Sequence, residues 1–396
     1  IFVHDRQTGE TTRVSMPSNG AQSYSDSYSA SISADGRFVA FMSEATNLVA
    51  GDTNGMSDIF VHDRQTGETT RVSVATGNIQ SNSDSYSASI SADGRYVAFE
   101  SWATNLVADD NNTATDIFVH DRQTGETTRV SVDSAGVQSN YCSSDASISA
   151  DGRYVAFDSS ATNLVAGDTN GVSDIFVHDR QTGETTRVSV GTGNIQSDDD
   201  SYNASISADG RYVAFQSYAT NLADGDTNGV SDIFVHDRQT GQTTRVSVGT
   251  GNIQSDGYSY HPSISADGRY VAFVSEANLV AGDTNGTRHI FVHDRQTGET
   301  TRVSVRSDGA QGNGDSYHPS ISADGRFVAF ESGATNLVAD DNNTATDIFV
   351  HDRQTGQTTR VSMAPGPSPQ ADNDSFLPSI SADGRYVAFE SWATNL

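Results

Sequence analysis

The chain has 396 residues, 35% hydrophobic and 19% charged, with a formal net charge of −28. So acidic a balance argues against nucleic acid and against insertion into or docking on an anionic membrane, since these partners need a basic footprint. All 23 basic residues are arginine, which fits a secreted or salt-exposed protein or a GC-rich genome. The single cysteine, Cys142, leaves no disulfide framework and no Cys-based zinc site. No stretch approaches the roughly 20 apolar residues of a membrane helix. No signal peptide is visible, and the chain opens inside a repeat. A trimmed N-terminus that could have carried an export signal is therefore expected, with a secreted or periplasmic, bacterial-type location.

Internal repetition dominates everything else. IFVHDR begins at residues 1, 59, 117, 175, 233, 290 and 348, and SADGR at 33, 91, 149, 207, 265, 322 and 381. In chain order each unit is predicted to supply four strands: DIFVHD (58–63), TTRVSV (69–74), SASIS (87–91) and RYVAFES (95–101). DRQTG (63–67) and ADG (92–94) are tight turns whose glycines suit positive φ. Strands that are apolar on both faces need a packed layer on each side. Four-stranded units repeated around an axis provide it.

The prediction is an all-β, seven-bladed β-propeller spanning residues 1–396. IFVHD and TTRVS from the N-terminus would supply the outer strands of one blade. SIS (379–381) and RYVAFES (385–391) from the C-terminus would supply its inner strands. An open solenoid is the alternative on repeat length alone. SISADGRYVAFES followed by DIFVHDRQTG resembles the TolB-type, WD-repeat-like propeller family along the whole chain. The sequence departs from that family at Ala34 and its equivalents, where proline is frequent, and in a long loop before DIFVHD. The resemblance implies the fold. For function it leaves protein-docking platforms, gates on peptidases and secreted domains all open.

The tight turns should share one face of the ring. The long loops, ATNLVAGDTNGVS and the stretch from about 75 to 86, should share the other, where binding is expected. A D-x-N-x-x-x-D spacing recurs there as Asp52/Asn54/Asp58, Asp110/Asn112/Asp116, Asp168/Asn170/Asp174, Asp226/Asn228/Asp232 and Asp341/Asn343/Asp347. It is similar to calcium-binding repeat loops and suits hard oxygen ligands, so Ca²⁺ is the one candidate cofactor. It lacks their third acidic position, and Asn and Asp also form ordinary turns. His289 replaces the last Asp of the sixth copy, which favours the turn reading.

Tyr28, Tyr86, Tyr202, Tyr260, Tyr317 and Phe376 precede the innermost strand and form either a ligand-stacking ring or packing between blades. The next position is diverse: Ser29, Ser87, Asp145, Asn203, His261, His318 and Leu377. Asp145, Asn203, His261 and His318 fall on four successive blades and could hold a metal or polar ligand at the channel mouth. Trp102, Tyr218 and Trp392 at a strand exit are candidate anchors for a protein or sugar, or cover the loop base. The seven HDR histidines read as packing inside the blade. No nucleophile elbow, metalloprotease helix or phosphate loop occurs. The sequence therefore favours a monomeric, non-enzymatic scaffold that binds protein or glycan. The alternatives are a propeller that gates a hydrolase or carries a lyase-like mouth site, and a recently amplified or engineered array with no specific activity.

Overall fold

A computed structural model describes residues 1–249, 251–364 and 370–396. Seven four-stranded antiparallel sheets stand around a central axis. Blade 1 runs outward as Ser27–Ile32, Phe38–Ser43, Asp58–Asp63 and Glu68–Arg71. Blades 2 to 6 repeat that order. Blade 7 joins Ser375–Ile380 and Tyr386–Ser391 to Phe2–Asp5 and Glu10–Arg13, with Phe2 opposite Phe389 in register. No helix occurs among the described residues, so none is long and apolar enough to cross a membrane.

The two-sided apolar strands account for the stacking. Val39, Ala40 and Phe41 are fully buried, as are Ile59, Phe60 and Val61 opposite them. Alternate residues point to opposite faces of a sheet, so each blade feeds two cores. Ala40, Ile59 and Val61 of blade 1 pack against Val97, Phe99 and Phe118 of blade 2, and the same arrangement follows around the ring. Within each blade two phenylalanines face each other; Phe41 and Phe60 stack with centroids 6.0 Å apart.

Polar interactions join the blades in three closed circuits. Ala34 N–H donates to the Ala92 carbonyl at 3.0 Å, Ala92 to Ala150, and so on through Ala382, which returns to Ala34 at 3.1 Å. These are the positions where the resembled family often has proline, and proline could not donate. A second circuit runs from the isoleucine N–H of one blade to a serine Oγ of the blade before, as in Ile90 to Ser31 and, across the closure, Ile32 to Ser379. The third runs from Thr127 Oγ1 to the Val74 carbonyl and closes from Thr11 to Met363. A ring closed three times over replaces the solenoid alternative.

Two expectations need correction. TTRVSV does not remain a strand to residue 74; pairing ends at Arg71. Ser73 Oγ instead accepts the Ile59 N–H and donates to Asp58, so a side chain replaces the next ladder carbonyl. The stretch beyond is not all loop either. Val74–Ala75 pairs with Ile79–Gln80, and equivalent hairpins follow blades 3 and 4. Val74 lies against the outer strand of the next blade, covering an edge that would otherwise be open to another chain.

Candidate functional site

The two faces of the ring divide as the strand order requires. Arg64 Nη1 donates to the Gly36 carbonyl, which ties the DRQTG turn to the ADG turn on the tight-turn face. On the opposite face Ser57 N–H donates to Asp84 Oδ1 and Asn54 Nδ2 to the Ser81 carbonyl, joining the two long loops.

The D-x-N-x-x-x-D carboxylates are turned inward onto this chain's own donors. Asp58 is wholly buried and accepts from Ser73, Ser81, Gln80 and Asn54, while Arg71 Nη1 lies 3.5 Å away. Asp52 accepts from Gln80 and pairs with Arg71 at 3.3 Å. The arrangement recurs around Arg129 for Asp110, Asn112 and Asp116, and around Arg187 for Asp168, Asn170 and Asp174. It recurs again around Arg245 for Asp226, Asn228 and Asp232, and around Arg360 for Asp341, Asn343 and Asp347. The guanidinium supplies the positive charge that a cation would supply. Among the described residues no group of three His, Cys, Asp or Glu is spaced to hold a metal ion. In the sixth copy His289 bonds Ser304 and Asn285 and lies 3.5 Å from Asp283. Arg71 and Gln80 went unnoticed in the sequence because they lie well along the chain from the loop carboxylates they contact.

The axis carries a pocket of about 310 Å³. Its wall is built from the diverse position and the residue after it: Ser29, Ser87, Asp145, Asn203, His261, His318 and Leu377, interleaved with Ala30, Ala88, Ala146, Ala204, Pro262, Pro319 and Pro378. Asp145, Asn203, His261 and His318 are thus brought together as their repeat position predicts. A β-bulge at this point in every innermost strand sets all seven diverse residues at φ between 46° and 54°. Such a conformation costs a non-glycine residue about 1–3 kcal/mol and is least costly for Asn and Asp. Leu377 adopts it nonetheless.

At most of the bulges the N–H is capped from a position the sequence reading passed over. The penultimate residue of the second strand reads Met42, Glu100, Asp158, Gln216, Val274, Glu331 and Glu390. Glu100 accepts the Asp145 N–H, Gln216 that of His261, Glu331 that of Leu377 and Glu390 that of Ser29. Asp158 Oδ2 accepts from Ser144 Oγ, and the Asn203 N–H lies near enough to favour its charged form. An acidic residue between Phe and Ser in a buried strand was the available signal.

These caps are costly to ionise. Burial, then repulsion from Asp145, raises Glu100 to about 7. Asp158 is pushed well above the carboxylate range, by burial first and by Asp145 second. Asp145 is open to channel water yet surrounded by protein, and burial raises it as well. Across the pocket His261 and His318 lie with ring centroids 4.6 Å apart, and His318 Nδ1 is 3.1 Å from Glu331 Oε1. Burial, followed by repulsion from His318, lowers His261 to about 4.

The tyrosines Tyr86, Tyr202, Tyr260 and Tyr317 do not line this pocket; they stand one residue back along the strand. Tyr260 and Tyr317 pack against an inter-blade core, with Tyr260 donating to Glu276 and Tyr317 to Asp315. Trp102, Tyr218 and Trp392 are exposed on the loop face at 44%, 38% and 58%. Phe376 meets Trp392 edge-on at 5.2 Å. Tyr24, Met56, Tyr141 and Tyr258 are also exposed in the loops of that face, while exposed Ile79, Val137, Ile195 and Ile253 occupy the rim connections. Among the described residues no large apolar side chain is exposed on the tight-turn face.

This architecture makes the chain a seven-bladed β-propeller. No protein-family model matches the sequence, and no curated protein matches it. Solved structures share the fold. An oligogalacturonate lyase in complex with manganese is 14% identical with a TM-score of 0.57, the match covering 99% of this chain and 96% of that one. Pyrococcus horikoshii acylaminoacyl peptidase is 12% identical with a TM-score of 0.51, over 86% and 46%. TolB from Acinetobacter baumannii is 17% identical with a TM-score of 0.46, over 82% and 62%. The chain thus spans less than two thirds of that TolB and under half of the peptidase.

Proposed function

We propose that this protein is a non-enzymatic binding scaffold that takes a protein or glycan ligand on its loop face, around the mouth of the axial pocket. One observation carries the reading. Copies that are otherwise near-identical differ at the pocket wall and at the strand exits, and the exposed aromatic residues gather there. Rigid sheets that present variable loops and exposed aromatic anchors are a common basis for recognition. The lysine-free, strongly acidic surface suits a site outside the cytoplasm.

The two tryptophans of the chain, Trp102 and Trp392, both lie on this face, so intrinsic fluorescence reports on it directly. A panel of neutral glycans and basic proteins titrated against the chain should change that fluorescence saturably. The Trp102→Ser/Tyr218→Ser/Trp392→Ser variant, assayed by calorimetry, should bind the same ligand at least tenfold more weakly. Undiminished binding by a folded variant would remove the loop face from the function.

A further inference from the structure

The seven-fold repetition is broken electrostatically on one arc of the axial pocket. Blade 3 alone carries an aspartate at both variable positions, Asp145 on the wall and Asp158 behind it, and the preceding blade adds Glu100. Asp158 is 3% exposed, and its Oδ1 has no hydrogen-bond partner although it lies against Asp145 and the pocket-lining Asn203. The other blades show that this charge is dispensable for the fold: Gln216 caps the same N–H as the acids do, and serine or asparagine occupies the Asp145 position elsewhere. The groups facing this arc are Tyr202, Ser144 and, across the pocket, His261, His318 and Glu331. None of them supplies a positive partner as close as Arg71 is to Asp58.

We infer that the Asp145–Asp158–Glu100 arc is a receptor for an alkylammonium group inserted along the axis. Three acids gathered on one arc without a cationic partner call for a cation, and the shape decides which kind. The carboxylates are not spaced to coordinate a metal together. Ammonium hydrogen bonds reach further than calcium–oxygen bonds, which are about 2.3–2.6 Å long. The wall alternates polar residues with the methyl groups of Ala88, Ala146 and Ala204, which suits an aliphatic stem ending in a charge. These 396 residues hold no lysine, so the group is supplied from outside them, as a lysine side chain or a free diamine. The inference uses the binding-scaffold reading only for the source of the ammonium; the pocket itself does not depend on the loop-face tryptophans.

The test is calorimetric titration with cadaverine, with the peptide acetyl-Gly-Lys-Gly-amide, and with the same peptide acetylated on its lysine. The variants are Asp145→Asn and Asp158→Gln, alone and together, both borrowed from neighbouring blades so that the backbone caps survive. The wild type should bind at least one free amine saturably and the acetylated peptide at least tenfold more weakly. The double variant should lose at least tenfold in affinity while melting no lower than the wild type. Cadaverine without the peptide would identify a small diamine, and the peptide a protein lysine. Equal binding of the acetylated peptide, undiminished binding by the double variant, or binding of Ca²⁺ with no amine response would overturn the inference. Trp102→Ser/Trp392→Ser should leave amine binding intact, which separates failure of the pocket from failure of the loop face.

Discussion

Acidification is expected to destabilise the propeller through its strand histidines. His120 Nδ1 lies 2.9 Å from Thr127 Oγ1, which already donates its own proton to Val74. The imidazole must therefore donate from Nδ1, and it is neutral in a site that is 6% exposed. Burial lowers His4, His120, His178, His236, His293 and His351 from 6.5 to about 4. The folded value is depressed, so the stabilisation is complete above 6.5 and is lost as the pH falls towards 4. At pH 5 each such group costs about 2 kcal/mol relative to the unfolded chain. Six of them give about 12 kcal/mol, comparable with the whole stability of an ordinary domain, about 5–15 kcal/mol. Glu100 and Asp347, raised by burial to about 7 and about 6, oppose this, since protonation favours their folded form, and so do Asp158 and the loop aspartates that burial raises, so the net fall is smaller than the histidine sum. Urea midpoints followed by circular dichroism at pH 7.5, 6.5, 5.5 and 5.0 should fall steeply below 6.5. His120→Gln, which can still donate to Thr127, should flatten the dependence by about one sixth of the sum for those six histidines. A midpoint that stays level or rises between pH 7 and pH 5 would refute the reasoning.

Four further outcomes follow from the same geometry. Ala150→Pro deletes one donor of the alanine circuit and should cost about 1–3 kcal/mol in urea unfolding, while Ala150→Ser should be nearly neutral. Gly152→Ala should cost about 2–4 kcal/mol, because the glycine sits at φ +72° and an added Cβ would meet the Tyr96 ring of the preceding blade. Arg71→Met should lower stability by about 3–5 kcal/mol by leaving Asp52 and Asp58 buried without their cation. The wild type should melt at the same midpoint in EDTA as in millimolar CaCl₂, whereas a calcium-dependent rise would show metal in those loops.

The ring was legible in the sequence because its causes are local and repeated. Val39, Ala40 and Phe41 announce a strand buried on both faces, and seven copies of that strand leave few ways to cover both sides. The chain order of IFVHD at one end and RYVAFES at the other fixed the shared blade. What escaped notice depends on partners distant in the chain. Gln80 bonds Asp52 across 28 positions, and Glu100 reaches Asp145 across 45. The pocket wall was found from its variability alone. The carboxylates behind it were missed because the strand containing them reads as core, and hydrophobic periodicity gives no weight to one polar residue near a strand end. Ser73 shows the same limit: its side chain replaces a ladder carbonyl, which no propensity scale registers.

The alanine circuit has a consequence for how such a molecule can change. Every link of the three closed circuits uses backbone groups or side chains common to all copies, whereas the axial wall takes its variable residue from each. Exchanging whole 58-residue cassettes would reshuffle the lining of the bore like beads on a seven-place necklace, without disturbing the clasp between any two of them.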